Sequence, residues 1–248
     1  MLEPWVEKLL RNHNYLLMFL FSLGLSIFVS GIVWFFGGQT VFAVGIISLA
    51  LSYPVITYFL SVNKGVVTRR YTFNDLLVNH LDEVFASWSI FIGVVLGLYV
   101  GAYSELLTEF IYQEAFVEGL DGMITGRVEL FNMVLFNNLV VGAVTFILCF
   151  ISFSALIFVL VWNASIVSYY LYSLEGYAFL IALFLLPHGL LEVAGYVFSG
   201  IAGSVLAFRV DNWSGLSTDE KMSVWKDVGL LVFGAALFIF IGAVVETL

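Results

Sequence analysis

The sequence predicts an all-α, polytopic transmembrane helix bundle, and three observations lead to this fold class. Hydrophobic residues make up 62% of the 248 positions, and charged residues make up only 11%. The chain also returns repeatedly to apolar runs of roughly 20 residues, the length that crosses a bilayer. A soluble domain carries roughly a quarter charged residues. Residues 1–248 are therefore expected to form a single integral membrane domain in the cell membrane.

Seven apolar runs are long enough to span a bilayer, which needs about 20 residues each. The first is too long for a signal-peptide core and is expected to remain as an anchor. The fifth contains the polar stretch YYLYSLEGYAF, so it either crosses fully or forms a broken or re-entrant helix. The runs cover residues 15–36, 41–61, 88–107, 134–162, 164–186, 188–208 and 228–247.

The distribution of basic residues predicts the orientation. With a cytoplasmic N-terminus and seven crossings, Arg127 is the one basic residue outside, and the other eight Lys and Arg face the cytoplasm. Because positive charge in short loops fixes orientation, this asymmetry favours seven crossings over six. All six tryptophans fall at or just beyond predicted helix ends, where an amphipathic ring prefers the headgroup level.

Two segments outside the spans have helical signals of their own. Residues 73–85 show the three-and-four spacing of an amphipathic helix, which we expect to lie along the cytoplasmic membrane surface. Ser217 and Glu220 have the spacing of a capping box, so the last helix is expected to begin in the cytoplasm before it enters the bilayer.

The net charge limits the class of partner. A formal charge of −9 argues against nucleic acid, because phosphate binding needs clustered Lys and Arg. The outer loop of residues 104–133 is acidic, which indicates either a solvated surface or a docking site for a basic partner domain. Cys149 is the single cysteine and excludes an intrachain disulfide.

Small residues repeat at intervals of four within the predicted third span. Gly93, Gly97 and Gly101 share one helix face, and the first span carries a comparable row of serines. Small residues let helix backbones approach closely, and close packing is a main source of helix association in lipid. This face is expected to pack either within the protein or against a second copy in a homodimer.

The stretch LPHGLLEVAG places two ionisable residues in an apolar run. His188 and Glu192 continue along one helical stripe with the small residues Gly195, Ser199 and Gly203. This stripe is expected to face the bundle, because an ionisable side chain in hydrocarbon costs several kcal/mol. Pro187 suits the first turn of a helix, so the helix is predicted to start there.

Asparagines supply further polar groups near the same membrane level. Asn137 and Asn138 open the predicted fourth helix on the side where His188 and Glu192 are expected, so these four side chains are predicted to form one hydrogen-bonded cluster. Asn163 lies at the opposite end of the predicted fourth helix. The sequence predicts no metal site, because a zinc site needs a third and a fourth ligand beyond His188 and Glu192.

Three stretches resemble the signature of the stage II sporulation protein M family of integral membrane proteins: FNNLVVGAVTF, VWNASIV and LLPHGLLEVAGYVFSGIAG. The resemblance is carried by the Pro-His-Gly block with its following glutamate, by the paired asparagines and by Asn163. Two positions depart from the family pattern, Ala164 and Val193. The resemblance places a family-like core at about residues 88–248.

The resemblance implies a multi-spanning fold, partnership with other envelope membrane proteins and a functional cluster of His, Glu and Asn residues. The sporulation member is regarded as a membrane component of a peptidoglycan-remodelling complex. Many relatives occur in cells that do not sporulate. The resemblance supplies no hydrolase and no cofactor.

Three function classes follow, in order of preference: a non-enzymatic scaffold or partner subunit of an envelope complex, a transporter or channel subunit, and an intramembrane enzyme. His-Glu-x-x-His, Gly-x-Ser-x-Gly and a phosphate-binding glycine loop are absent from the sequence, which disfavours an enzyme. No catalytic residue is assigned. Glu192 orienting His188 as an acid–base pair keeps the enzyme class open.

The predicted orientation is tested by single-cysteine labelling in intact cells, with the native Cys149 replaced by alanine. A cysteine at Ser214 should resist an impermeant maleimide, because the loop of residues 209–227 is expected in the cytoplasm. A cysteine at Thr125, in the acidic loop, is the matched control and should react. Labelling of the Ser214 variant before lysis would contradict seven crossings.

Overall fold

The computed structural model describes residues 15–35, 43–51, 73–103, 127–152, 155–173, 178–210 and 213–247. Within these ranges the chain is almost entirely helical and contains no strand, which confirms the all-α fold class. Five of the described helices are long and apolar enough to cross a membrane. The remainder of the predicted second span and most of the acidic loop lie outside the described residues.

The helices are numbered in chain order, and α2 is the described helical segment of residues 43–51. A short 3-10 turn at Trp213–Gly215 precedes the last helix. The other helices are α1 (Tyr15–Phe35), α3 (Phe73–Tyr103), α4 (Arg127–Ile151), α5 (Ala155–Ser173), α6 (Ala178–Val210) and α7 (Thr218–Thr247).

Helix α3 contains two elements that the sequence predicts as separate helices. The predicted amphipathic segment and the third span form one helix of 31 residues. At about 1.5 Å per residue this helix is longer than the roughly 30 Å hydrocarbon core. The amphipathic segment is therefore the N-terminal extension of a span and does not form a separate surface helix.

Three predicted spans differ from the structure. The predicted fifth span of residues 164–186 is divided between α5, which ends at Ser173, and α6, which begins at Ala178. The predicted fourth span of residues 134–162 is divided, because α4 ends at Ile151 and the backbone N–H of Ala155 donates to the Ser152 carbonyl oxygen in the following turn. Pro187 does not start a helix but lies inside α6. Membrane helices tolerate an interior proline because neighbouring groups satisfy the carbonyl that it leaves free.

Helices α1 and α3 pack through the predicted rows of small residues. A Cβ added to Gly97 would lie 2.8 Å from the Leu23 carbonyl oxygen, and one added to Gly93 would lie 2.7 Å from the Phe19 carbonyl oxygen. Residue numbers rise together along the contact, so the two helices run parallel. Gly93 and Gly97 thus pack within the protein. Gly101 is also buried.

The serine row on α1 faces the same contact. Ser22, Ser26 and Ser30 are fully buried, and each hydroxyl donates to a carbonyl oxygen of its own helix. The hydroxyls are therefore satisfied locally, and the row presents a small surface on which α3 can approach.

Helices α4 and α6 also run parallel and lie in close contact. Asn138 on α4 bonds to Glu192 on α6, and further along, a Cβ on Gly203 would collide with the Phe146 carbonyl oxygen. Close backbone approach thus needs glycine at position 203.

Helix α7 packs antiparallel against α6. A Cβ on Gly195 would lie 3.0 Å from the Ala235 carbonyl oxygen, whereas a Cβ on Gly242 would lie 3.4 Å from the carbonyl oxygen of His188, so residue numbers fall along α7 as they rise along α6. The rings of Phe198 and Phe238 stack with centroids 5.5 Å apart. At the C-terminal end of α7, Gly242 lies against α6. Helices α4, α6 and α7 therefore form one packed group.

Helix α5 and one tryptophan connect this group to the α1–α3 pair. The Ser168 hydroxyl of α5 donates to the Val95 carbonyl oxygen of α3 at 2.9 Å. The Trp88 indole N–H donates to the Leu190 carbonyl oxygen of α6 at 2.9 Å. The placement of Trp88 at a helix end is therefore wrong, because this residue lies in the middle of α3 and links it to α6.

The start of α7 confirms the predicted capping box. The Ser217 backbone N–H donates to Glu220 Oε2 at 2.8 Å, and the Glu220 backbone N–H donates to Ser217 Oγ at 3.3 Å. Nearby, Trp213 and Trp225 meet edge to face, and the Lys221 ammonium lies 5.7 Å from the Trp213 ring centroid. Aromatic rings beside a lysine are typical of a membrane boundary.

The α1–α3 contact generates a test with a matched glycine. Gly97→Ala should lower the unfolding free energy by about 1–3 kcal/mol, because the added methyl meets the α1 backbone. Gly24→Ala is the control, since a Cβ there has nothing within 4 Å. Thermal unfolding in detergent should separate the two variants, and equal midpoints would contradict this packing.

Candidate functional site

Asn138 on α4 is the centre of a polar cluster that joins three helices. Its side chain is 7% exposed. The amide nitrogen donates to Glu192 Oε1 on α6, and the amide oxygen accepts from the Tyr196 hydroxyl at 2.8 Å. Both halves of one amide are therefore used in bonds to a neighbouring helix. We call Asn137, Asn138, Glu192, Tyr196 and Glu246 the Asn138 cluster.

Two members of the Asn138 cluster on α6 are brought together by helical spacing. Glu192 and Tyr196 are four residues apart and so lie on one helix face, directly opposite Asn138. Tyr196 is 1% exposed, whereas Glu192 is half-buried. The phenol therefore supplies a donor that is shielded from solvent.

Asn137 forms the outer edge of the cluster on α4. Its amide nitrogen donates to Asn138 Oδ1 at 3.3 Å, and its side chain is exposed. Consecutive helical residues point in different directions, so one asparagine faces α6 while the other faces outward. The pair thus connects the buried cluster to the protein surface.

Helix α7 closes the cluster from the third side. A Cβ on Gly242 would lie 3.1 Å from Glu192 Cγ and 3.4 Å from the His188 carbonyl oxygen. One turn further along α7, the carboxyl of Glu246 lies within hydrogen-bonding distance of the Glu192 carboxyl. The Glu246 side chain is exposed. Two carboxyl groups thus meet beside the asparagines.

His188 lies one turn before Glu192 on α6 and is buried, with 9% of its surface exposed. Its backbone contacts Gly242 of α7 through the carbonyl oxygen. The structure therefore places the predicted residue next to the Asn138 cluster, on the α6 face that α7 covers.

Asn163 does not join these residues. It lies in the middle of α5, and its amide nitrogen donates at 2.8 Å to the Val159 carbonyl oxygen of the same helix. Its predicted position at the end of the fourth span is wrong, because α4 has already ended at Ile151.

The small residues predicted on the α6 stripe line the helix contacts beyond the cluster. Gly195 and Gly203 lie against α7 and α4, and a Cβ on Gly142 of α4 would lie 3.3 Å from the buried Ser199 hydroxyl oxygen. The stripe thus holds both neighbours of α6 at the distance that the polar contacts require.

Sequence reasoning missed two members of the cluster. Tyr196 could have been found, because it follows Glu192 at the same four-residue spacing that links His188 to Glu192. Glu246 could not have been found from the sequence, because it is near the C-terminus and no pattern indicates which face of α7 meets α6.

The chemistry that the cluster offers is hydrogen bonding and acid–base exchange. The described residues contain no group of three or more His, Cys, Asp or Glu side chains that could hold a metal ion. The nitrogen and the oxygen of the Asn138 amide are both engaged in hydrogen bonds within the protein.

Residues 84–248 match the family model described as Stage II sporulation protein M. No curated protein and no solved structure matches. The matched region begins within α3 and contains all members of the Asn138 cluster.

The hydrogen bond of Tyr196 between two helices and the hydrogen bond of Asn163 within one helix predict different effects on stability. Tyr196→Phe removes a donor to a buried interhelical oxygen and should lower the unfolding free energy by about 0.5–2 kcal/mol. Asn163→Ala removes a bond within one helix and should change it by less. Thermal unfolding in detergent compares them, and a larger loss for Asn163→Ala would argue against the cluster as the principal polar contact.

Proposed function

We propose that this chain, which belongs to the stage II sporulation protein M family, is a non-enzymatic membrane scaffold that serves as a partner subunit of a cell-envelope complex. Its spanning helices would present a rigid surface to other envelope membrane proteins. The five apolar helices and the family membership establish a membrane protein. The scaffold role is the step added here.

The observation that carries this proposal is the double engagement of Asn138. Its nitrogen bonds to Glu192 and its oxygen to Tyr196, so the residue holds α4 against α6. A catalytic amide is aimed at a substrate atom, whereas this amide is occupied by its own protein. A polar group used in this way fixes helix packing, which is what a scaffold requires.

An ion-carrying role is the second candidate. The contact between the Glu192 and Glu246 carboxyls favours it, because ionisable groups within membrane helices often mark ion or proton pathways. Under this alternative the protein is a transporter or channel subunit, and the carboxyl pair takes up and releases a cation.

We also propose that the N-terminus faces the cytoplasm and that the chain crosses the membrane several times. The supporting feature is the uneven distribution of Lys and Arg among the segments between apolar runs. The Asn138 cluster and the start of α7 would then lie toward opposite faces of the membrane.

The scaffold role is tested by purification of the tagged full chain from its native membrane in a mild detergent. A stoichiometric envelope protein should remain bound through size-exclusion chromatography. Purification as a single species, with cation uptake by the protein reconstituted in vesicles, would favour the second candidate.

Substitutions separate a structural from a chemical role of the polar residues. Glu192→Gln keeps an oxygen that accepts from Asn138, and His188→Ala removes a buried side chain, so each should cost about 0.5–2 kcal/mol of unfolding free energy and reduce complementation partially. Thermal unfolding and complementation of a deletion are measured together. Wild-type stability combined with complete loss of complementation in both variants would argue for chemistry instead.

A further inference from the structure

The span of α4 is the least buried of the five candidate membrane spans, and α7 beside it also exposes apolar side chains. Only 22% of the α4 span is buried within the protein, compared with 61% for the spans of α3 and α6. Phe136 and Val140 on α4 are exposed, as are Phe240 and Val245 on α7. We call the exposed faces of α4 and α7 around Asn137 and Glu246 the α4/α7 surface.

Polar groups interrupt this apolar surface at one level. Asn137 and Glu246 are both exposed, and Glu192 lies half-buried between them. Exposed apolar side chains alone are satisfied by lipid. Asn137 bonds to Asn138 and Glu246 to Glu192, but a carboxyl and an amide can form further hydrogen bonds, which hydrocarbon does not offer.

The charge of the α4/α7 surface indicates which kind of group can compensate its two carboxyls. Two carboxyl groups in contact repel when both are ionised, unless a cation or a proton lies between them. The four described Lys and Arg residues are distant along their helices. Arg127 begins α4, Arg209 is at the last turn of α6, and Lys221 and Lys226 are near the opposite end of α7 from Glu246.

A second copy of the chain is a poor occupant. A symmetric contact through this face would bring two further carboxyl groups beside Glu192 and Glu246, and like charges disfavour such a pairing. The whole chain is acidic, with a formal net charge of −9. Complementarity therefore requires a different protein.

We propose that the α4/α7 surface binds a transmembrane helix of a partner protein that carries a Lys or Arg side chain at the level of Glu246. The apolar faces of α4 and α7 receive the body of that helix. Glu246 and Glu192 share its positive charge, and the Asn137 amide oxygen accepts a further hydrogen bond. The partner's cation thereby compensates the carboxyl pair.

This inference rests on the scaffold function proposed above and specifies its partner. The experiment therefore uses a defined probe instead of an unidentified protein. The probe is a fluorescent Leu/Ala transmembrane peptide of about 20 residues with one Lys a single turn from one end. The control peptide has Leu in that position. Energy transfer to the labelled full chain is measured in phosphatidylcholine vesicles.

The Lys peptide should bind roughly tenfold more tightly than the Leu peptide, since a compensated charge pair at a helix contact has about this effect. Glu246→Gln should remove most of the difference. Asp219→Asn, an exposed acidic position at the other end of α7, should leave it unchanged. Glu246→Lys should reverse the preference toward a peptide that carries Glu.

Equal affinity of the Lys and Leu peptides would overturn the proposal, as would a preference that Glu246→Gln leaves intact. Association of two differently labelled copies that the Lys peptide fails to displace would also overturn it, in favour of a homodimer. Each of these three results leaves the scaffold function standing if an envelope protein still co-purifies with the full chain. Absence of such a protein would remove the scaffold function separately.

Discussion

The arrangement of the C-terminal helices depends on one amide. Asn138 bonds to Glu192 with its nitrogen and to Tyr196 with its oxygen, and these contacts fix the register of α4 against α6. Two parallel helices of apolar residues could slide past each other at little cost in lipid, because lipid tails are as apolar as leucine. A polar pair that matches at one register removes this freedom.

The amide can act in this way because small residues bring the backbones together. Gly203 leaves room for the Phe146 carbonyl, and Gly242 leaves room for Glu192. Larger side chains at these positions would separate the helices beyond the reach of an asparagine. The glycines and the polar residues therefore depend on each other. Close packing at the glycines makes the hydrogen bonds possible, and the hydrogen bonds set the register of the helices. Helix α7 completes this arrangement by covering His188 and bringing Glu246 to Glu192.

The sequence predicts the parts of this arrangement that follow from periodicity and fails where tertiary contacts decide. The convergence of Asn137, Asn138 and Glu192 follows from their levels along two apolar runs. No proline or glycine lies beside Ile151 to indicate that α4 ends there. Pro187 has the sequence features of a helix start, although α6 continues through it. Glu246 was missed because the face that a helix turns toward its neighbour depends on packing that no local pattern records.

A double-mutant cycle between Asn138 and Glu192 tests the central claim most directly. Asn138→Leu, Glu192→Leu and the double variant are unfolded in the same detergent, with Asn163→Leu and Glu192→Leu as the uncoupled control pair. Contacting polar residues in membrane helices couple by about 0.5–2 kcal/mol, and this is the expected coupling for Asn138 and Glu192. Additive losses for Asn138 and Glu192, indistinguishable from those of the control pair, would contradict the claim that this contact fixes α4 on α6.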